Sequence, residues 1–318
     1  MAMASTPAFD TSVRPFDAAA IAEAARMIAE GHCVAAPTET VYGLAANATN
    51  ALAVAGIYAA KGRPSFNPLI VHVLDLAAAE RIAVFGDAAR TLAADHWPGP
   101  LTLVLPVRPD SGIASLVCAG LPTIALRIPA HPAMRALLEA TGCPLAAPSA
   151  NASGTISPTR ASHVVGSLGG RIPLVIDAGA CGVGLESSIV AVAADGSLRL
   201  LRPGPLDLGL SLDGGGGIEA PGQLASHYAP SKPLRLNAAL GMKGEWLIGF
   251  GAVTGQATLS AKGDLIEAAA RLFDSLHEAD RAATASIAVA PIPETGLGIA
   301  INDRLRRAAT RLTRSPSS

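Results

Sequence analysis

The positive charges of this chain are uneven in kind. There are four lysines, and Lys61 is the only one before Lys232; arginine supplies nearly all the rest. Where most cationic positions accept a planar guanidinium, a retained ammonium marks a place that calls for a compact point charge. Lys61 opens the run Lys61-Gly-Arg-Pro-Ser-Phe-Asn-Pro68, so two cations leave a helix end and enter a proline-bounded loop. That setting suits a polyphosphate or a carboxylate. A third cation, Arg127, interrupts the apolar run 123–129. A guanidinium buried without a partner costs several kcal/mol, so an anion must meet it, either a protein carboxylate or a bound ligand. Strand alternation puts Thr123 on the same face as Arg127. His72 interrupts a second apolar run, 69–74, and reads either as a hydrogen-bonded core group or as a ligand contact.

Two loops add neutral donors. Ala147-Pro-Ser-Ala-Asn-Ala-Ser-Gly154 leads to Ser157-Pro158, and Gly184-Leu-Glu-Ser-Ser-Ile189 leads into a strand. Their small residues let backbone N–H groups approach an anion. Of three tyrosines, Tyr42 lies at a strand end, where open α/β sheets bind ligands, Tyr58 reads as helix packing, and Tyr228 lies in Ser226-His-Tyr-Ala-Pro230. Arg202 closes a strand in Leu200-Leu-Arg-Pro-Gly204. The chain has no Gxxxx-GK[ST], GxSxG or HExxH motif. Many donors and cations without a nucleophile–base pair describe a site that positions anionic reactants and stabilises charge, as phosphoryl or nucleotidyl transfer requires.

These residues need elements to hold them. Helical spacing is expected over 17–30, 50–60, two stretches reaching about residue 96, 132–141 and 158–168, the last two opening on proline in the first turn. Strands are expected over 33–36, 69–74, 101–107, 123–128, 144–147, 174–177, 188–193 and 198–202. The result is a mixed α/β domain over 14–203 with one large twisted sheet and flanking helices. A proline-, glycine- and serine-rich linker or lid follows over 204–233, with four glycines at 214–217. The segment 234–318 alternates strands (245–250, 285–290) with helices (264–279, 298–311), a small Rossmann-like unit that retains only Gly249-x-Gly251 of a dinucleotide fingerprint.

Composition sets the outer bounds. Of 318 residues 50% are apolar and 15% charged, which excludes a disordered chain. A net charge of −1 excludes a globally basic nucleic-acid binder. Mean hydropathy is +0.39, but polar residues and glycines break the longest charge-free runs, so no membrane span is expected. The opening residues lack the pattern of a secretory leader, and a cytoplasmic protein is expected. Cys33, Cys118, Cys143 and Cys181 have no zinc spacing and read as buried thiols.

Six stretches, PTETVYGLAAN (37–47), KGRPSFNPLIVHV (61–73), TIALRIPAHP (123–132), APSANASGTISPT (147–159), GLESSIV (184–190) and LRPG (201–204), resemble in order the motifs of the threonylcarbamoyl-AMP synthases, the YrdC-type proteins. APGQLASHYAPSKPL (220–234) and the C-terminal unit resemble the longer, two-domain form. The resemblance implies that L-threonine, bicarbonate or CO2, and ATP with Mg2+ give threonylcarbamoyl-AMP and pyrophosphate. A separate transferase then uses the product to modify an adenosine of tRNA. It assigns Thr40, His72, Arg127 and Ser188 to threonine, with Arg127 on the carboxylate. It assigns Arg63, Asn67, Thr123, Ala147, Ser149, Ser157, Arg202 and Tyr228 to ATP, and gives Lys61, with Arg63, the charge of phosphate or nascent carbamate.

Two other readings compete. A non-catalytic RNA-binding module would use the basic segment from Arg304-Leu-Arg-Arg307 to Arg314, which otherwise reads as a solvated helix face and a frayed tail, leaving weak or no direct tRNA binding. The related domain of hydrogenase maturation factors comes in longer chains with cysteine-rich zinc motifs that are absent here.

Overall fold

Short polar side chains set the helix starts. Asp17 accepts the backbone N–H of Ala20, and Asn50 accepts those of Leu52 and Ala53, caps worth about 1 kcal/mol each. Gly62, at φ 59°, ends the second helix in the left-handed conformation that glycine adopts without strain, which makes Lys61 the last helical residue. The computed structural model describes residues 9–64, 66–213, 217, 219–223 and 227–310; residues 1–8 and 214–216, to which much of the opening stretch and most of the glycine run belong, lie outside them.

In chain order the first part forms β1 (Ser12–Pro15), α1 (Ala18–Ala29), β2 (Val34–Pro37), β3 (Tyr42–Asn47), α2 (Ala51–Lys61), β4 (Ile70–His72), α3 (Leu76–Ile82), α4 (Asp87–His96) and β5 (Leu101–Pro106). It continues with α5 (Ser115–Cys118), β6 (Thr123–Arg127), α6 (Pro132–Thr141), β7 (Leu145–Ala146), α7 (Ala161–Leu168), β8 (Leu174–Asp177), β9 (Ser188–Val192) and β10 (Leu198–Arg202). The ten strands make one mixed sheet in the order β1-β8-β2-β3-β7-β4-β6-β5-β9-β10.

Alternation along the strands divides the core. Val34, Ala36, Ala45 and Leu145 pack with Ile21 and Ile28 of α1 and with Met134 and Leu137 of α6. Ala35, Tyr42, Leu44 and Ala46 face the larger core around Ile57, Leu103 and Leu126. Between these layers β2 is buried on both sides, which fits its short apolar run. A third, small apolar cluster (Ile70, Val104, Ala125, Ile189, Ala191 and Leu201) lies on β4, β5, β6, β9 and β10, joined by Ala220 from the segment after β10. It matters most here, because the polar residues of interest share its face.

Contacts divide the chain into two units. One runs to Ser153 and resumes from Pro158 to Gln223; the other takes Gly154–Ser157 and the chain after Gln223. The stretch read as a linker is therefore shared between them. Its first part is packed: Leu206, Leu208 and Leu210 lie on the large core, and Arg199 pairs with Asp213 at 2.7 Å and Glu219 at 2.8 Å.

The second unit has a parallel four-stranded sheet in the order β11 (Leu234–Arg235), β14 (Ser286–Val289), β12 (Glu245–Gly249), β13 (Ala257–Thr258). Its helices are α8 (Leu265–Arg281) and α9 (Leu297–Ala309). Ala268, Ala269, Leu272, Phe273, Leu276 and Ala279 give α8 a buried stripe at helical spacing. Arg304 on α9 is wholly buried, paired with Asp303 at 2.9 Å, and Arg307 pairs with the same carboxylate at 3.0 Å. The basic segment is thus only in part the solvated face expected: Arg306 is exposed and pairs with Glu294 at 2.7 Å, whereas Arg304 is buried, Arg307 is half-buried, and Arg314 lies outside the described residues.

Two local expectations also give way. Residues 42–47 form a strand that the apolar pattern did not announce. Pro158 does not open a helix: its carbonyl accepts the N–H of Tyr42 at 2.8 Å, holding it in an extended pairing, and α7 begins at Ala161. Pro132 does stand in the first turn of α6.

Candidate active site

The small apolar cluster forms a floor, and its strands carry polar side chains at the same parity. Ala125 is a floor residue, so Thr123 and Arg127 at either side of it on β6 face the same way. Four residues of strand put them roughly 13 Å apart. Ile70 carries the floor on β4 and His72 follows at the same parity, directly across from Arg127 in the parallel pairing. Thr102 on β5 precedes Val104, and Ser187 precedes Ile189, in the same relation.

Around Arg127 the bonding is dense. The side chain is 4% exposed. Its Nε donates to the Gly99 carbonyl at 3.1 Å, Nη1 to Thr40 Oγ1 at 2.9 Å, and Nη2 to Glu39 Oε1 at 2.6 Å. The second carboxylate oxygen of Glu39 accepts the N–H of Ala130 at 3.1 Å. Burial works to raise the pKa of Glu39, but the charge and hydrogen bond of Arg127 outweigh it and hold the carboxyl below its usual range. The sequence demanded an anion for Arg127; the fold supplies Glu39, a residue the reading of motifs passed over. Three of five guanidinium N–H donors are used, and two have no acceptor among the described residues. His72 is buried, with its pKa pushed down to about 3 by burial first and by Arg127 second, so it is a neutral imidazole at physiological pH. Its Nδ1 has no hydrogen-bond partner among the described residues.

A second cluster gathers at the end of α2. Lys61 is buried, and its Nζ donates to the carbonyls of Ser149 and Asn151, both at 2.5 Å. Burial, then the charge of Arg63, pushes the ammonium well below its ordinary pKa. Arg63 Nε donates to the Asn67 carbonyl at 3.1 Å and Nη2 to the Pro68 carbonyl at 2.8 Å. Tyr58 is more than packing here, because its hydroxyl donates to the same Asn67 carbonyl at 3.1 Å. The Asn67 side chain is 1% exposed, yet neither its Nδ2 nor its Oδ1 has a partner among the described residues. Buried amides are nearly always satisfied, so this one is aimed at a partner that the described residues do not provide.

The far edge of the floor is held by Ser187. Its hydroxyl lies 2.7 Å from Thr102 Oγ1 and accepts Arg202 Nη2 at 3.0 Å, while its carbonyl accepts Arg202 Nε at 3.0 Å. Gly204 lies against this turn: a Cβ there would sit 2.3 Å from the Ser188 nitrogen.

The expected residues are therefore partly united. Thr40, His72 and Arg127 meet around one ion pair. Lys61, Arg63, Asn67 and Ser149 meet around one loop, and Ala147 joins them through β4, donating its N–H to the Ile70 carbonyl at 2.9 Å. Ser188 departs from expectation. It pairs with Leu101, of the large core, and its hydroxyl accepts the N–H of Leu206 at 3.1 Å, so its neighbour Ser187 takes the floor side. Ser157 and Tyr228 belong to the second unit. The Ser157 carbonyl lies 3.1 Å from His277 Nε2, and the buried Tyr228 ring sits 5.7 Å from Phe273 with the Arg304 guanidinium 5.4 Å from its centroid. Cys33 and Cys181 are buried free thiols pushed up to about 12 by burial, unreactive as nucleophiles. No group of three His, Cys, Asp or Glu residues among the described residues is placed to hold a metal ion.

Comparison with known proteins covers both parts of the chain. A family model described as telomere recombination matches residues 26–204, and one described as the C-terminal domain of threonylcarbamoyl-AMP synthase matches 212–310. The threonylcarbamoyl-AMP synthase of Bacillus subtilis is 41% identical over 91% of this chain and 92% of its own. That of Pyrococcus abyssi is 38% identical over 90% and 93%. The solved structure of P. abyssi Sua5 complexed with L-threonine is similar at a TM-score of 0.85, with 35% identity over 95% of this chain and 97% of that one.

Proposed function

Since this chain belongs to the threonylcarbamoyl-AMP synthase family, we propose that it makes threonylcarbamoyl-AMP and pyrophosphate from L-threonine, bicarbonate or CO2, and ATP. The observation that carries the reading is the pair of clusters flanking β4, one where His72 lies across from Arg127 and one at the Pro68 carbonyl that precedes the strand. One is built on a buried ion pair, the other on buried cations held by carbonyls.

The amine of threonine adds to CO2 and forms a carbamate, losing protons to solvent. A carbamate oxygen then attacks the α-phosphorus of ATP, and the bond to pyrophosphate breaks. The nucleophile belongs to the substrate, so the protein's work is orientation, charge stabilisation and exclusion of water. The two remaining donors of Arg127 hold the threonine carboxylate, with Thr40 and neutral His72 beside it. Ser187, on the floor side, takes the place first given to Ser188. Asn67 and Arg63 hold the nucleotide with Thr123, Ser149, Arg202 and the backbone of Ala147. Lys61, released from its two carbonyls, meets phosphate or the nascent carbamate. The nucleotide roles of Ser157 and Tyr228 rest on their motifs alone. Mg2+ enters as part of the ATP substrate, held by phosphate oxygens and water.

No helix among the described residues is long and apolar enough to cross a membrane. We place the reaction in the cytoplasm, where the product passes to a tRNA-modifying transferase. Mass spectrometry of purified protein with ATP, bicarbonate and threonine should detect the adenylate, with serine giving ~10-fold less or lower still, because one methyl contact is worth about 1–3 kcal/mol. Absence of the adenylate alongside salt-dependent tRNA binding would instead support an RNA-binding module.

A further inference from the structure

We infer that Glu39 receives the α-ammonium group of the amino-acid substrate and so selects an α-amino acid over other hydroxy carboxylates. This rests on the reading of the site above and deepens it.

Charge accounting at Arg127 leads there. The guanidinium is buried and already carries one carboxylate, that of Glu39, at 2.6 Å. A second carboxylate placed on its two remaining donors would lie beside the first. Two anions on one buried cation repel each other strongly. Thr40 offers a hydroxyl, and His72 is a neutral ring, so neither adds positive charge. A substrate that brings its own cation removes the conflict. In an α-amino acid the ammonium and the carboxylate are joined to one carbon, so a carboxylate on Arg127 carries its ammonium to the flank where Glu39 stands. The four charges then alternate in sign.

Glu39 is placed for this task. The Ala130 N–H holds its Oε2 at 3.1 Å and stops the carboxylate from turning outward. Its side chain is 15% exposed against 4% for Arg127, so it is the partner with an open side. The bond to Arg127 keeps it ionised, as a counter-charge for an ammonium must be.

The test compares L-threonine with (3R)-3-hydroxybutyrate, the same molecule without its amine, by calorimetry on the full chain. Wild-type protein should bind threonine about 100-fold more tightly, the size expected for one charge-assisted contact in a desolvated site. Glu39→Gln should lose most of that preference by weakening threonine alone. If both ligands weaken equally in Glu39→Gln, Glu39 merely orients Arg127 and the inference is overturned. Equal affinities in the wild type overturn it without any variant, which covers the case of a Glu39→Gln protein that does not fold. Glu39→Asp, which retains the charge but withdraws it by one methylene, should keep part of the preference. Failure of wild-type protein to bind threonine under any condition would remove the underlying reading of the site rather than this inference alone.

Discussion

The two clusters flanking β4 bury cations in opposite ways. Arg127 is neutralised in place by Glu39. Lys61 is held by the carbonyls of Ser149 and Asn151, and it makes no ion pair among the described residues. Carbonyl dipoles solvate a cation without cancelling its charge. The Arg127 cluster therefore has no net charge and fits a zwitterion, and the cluster of Lys61 and Arg63 keeps a surplus of positive charge and fits a polyanion. The protonation behaviour follows the same division. Glu39 stays ionised beside its cation, whereas Lys61, with Arg63 as its charged neighbour, is driven toward the neutral amine. A polyphosphate would oppose that drive and favour the ammonium.

The largest effect that can break this contrast is expected at Lys61. Lys61→Met keeps the bulk and removes the surplus charge. Pyrophosphate release should fall about 100-fold or more, as when one stabilising donor is lost, while threonine affinity measured by calorimetry stays within ~3-fold of wild type. An equal loss of threonine binding would merge the two clusters into one. Arg127→Met should follow. Threonine saturation should be lost, and stability in urea should drop by about 3–5 kcal/mol because Glu39 is left buried with its charge unmatched. Adding Glu39→Gln to Arg127→Met should restore much of the stability and none of the binding, which separates the structural share of the pair from its share in recognition.

Asn67→Ala is smaller and more pointed. The KM for ATP should rise ~10-fold with threonine KM unchanged. Ligand-free stability should hold or improve by about 1 kcal/mol, because two unpartnered buried atoms are removed. A loss of stability would mean that this amide serves the fold. His72 gives the smallest effect at neutral pH. Its pKa is lowered from 6.5 to about 3 in the native state, so below 6.5 the unfolded chain binds a proton that the native chain refuses. The stability it contributes is complete above pH 6.5 and is lost as the pH falls toward 3, by up to about 1.4 kcal/mol per pH unit. His72→Gln should flatten that part of the urea-denaturation profile between pH 7.5 and 5.

Much of this was legible in the residues. Short apolar runs located most of the strands, and the isolated Lys61 and the strand-bound Arg127 marked both clusters. What stayed hidden was pairing. The partner of Arg127 is 88 residues away in sequence, and a glutamate between two threonines looks like any loop residue. The choice between Ser187 and Ser188 depends on one register, Leu101 against Ser188, and a one-residue slip turns every side chain to the other face. β3 escaped because half of Tyr42–Asn47 is glycine and alanine, which favour a strand little. Arg304 escaped because an arginine on an amphipathic helix signals water until its neighbours, here Asp303 and Tyr228, are known.

Gly204 contributes no functional group, yet its bare α-carbon lets the chain leaving β10 ride directly on the backbone of Ser187 and Ser188. A single methyl at that crossing would wedge the serines away from Thr102 and Arg202, prising open one wall of the crevice from behind. The rigidity of that wall thus depends on a spot where the protein has kept matter out.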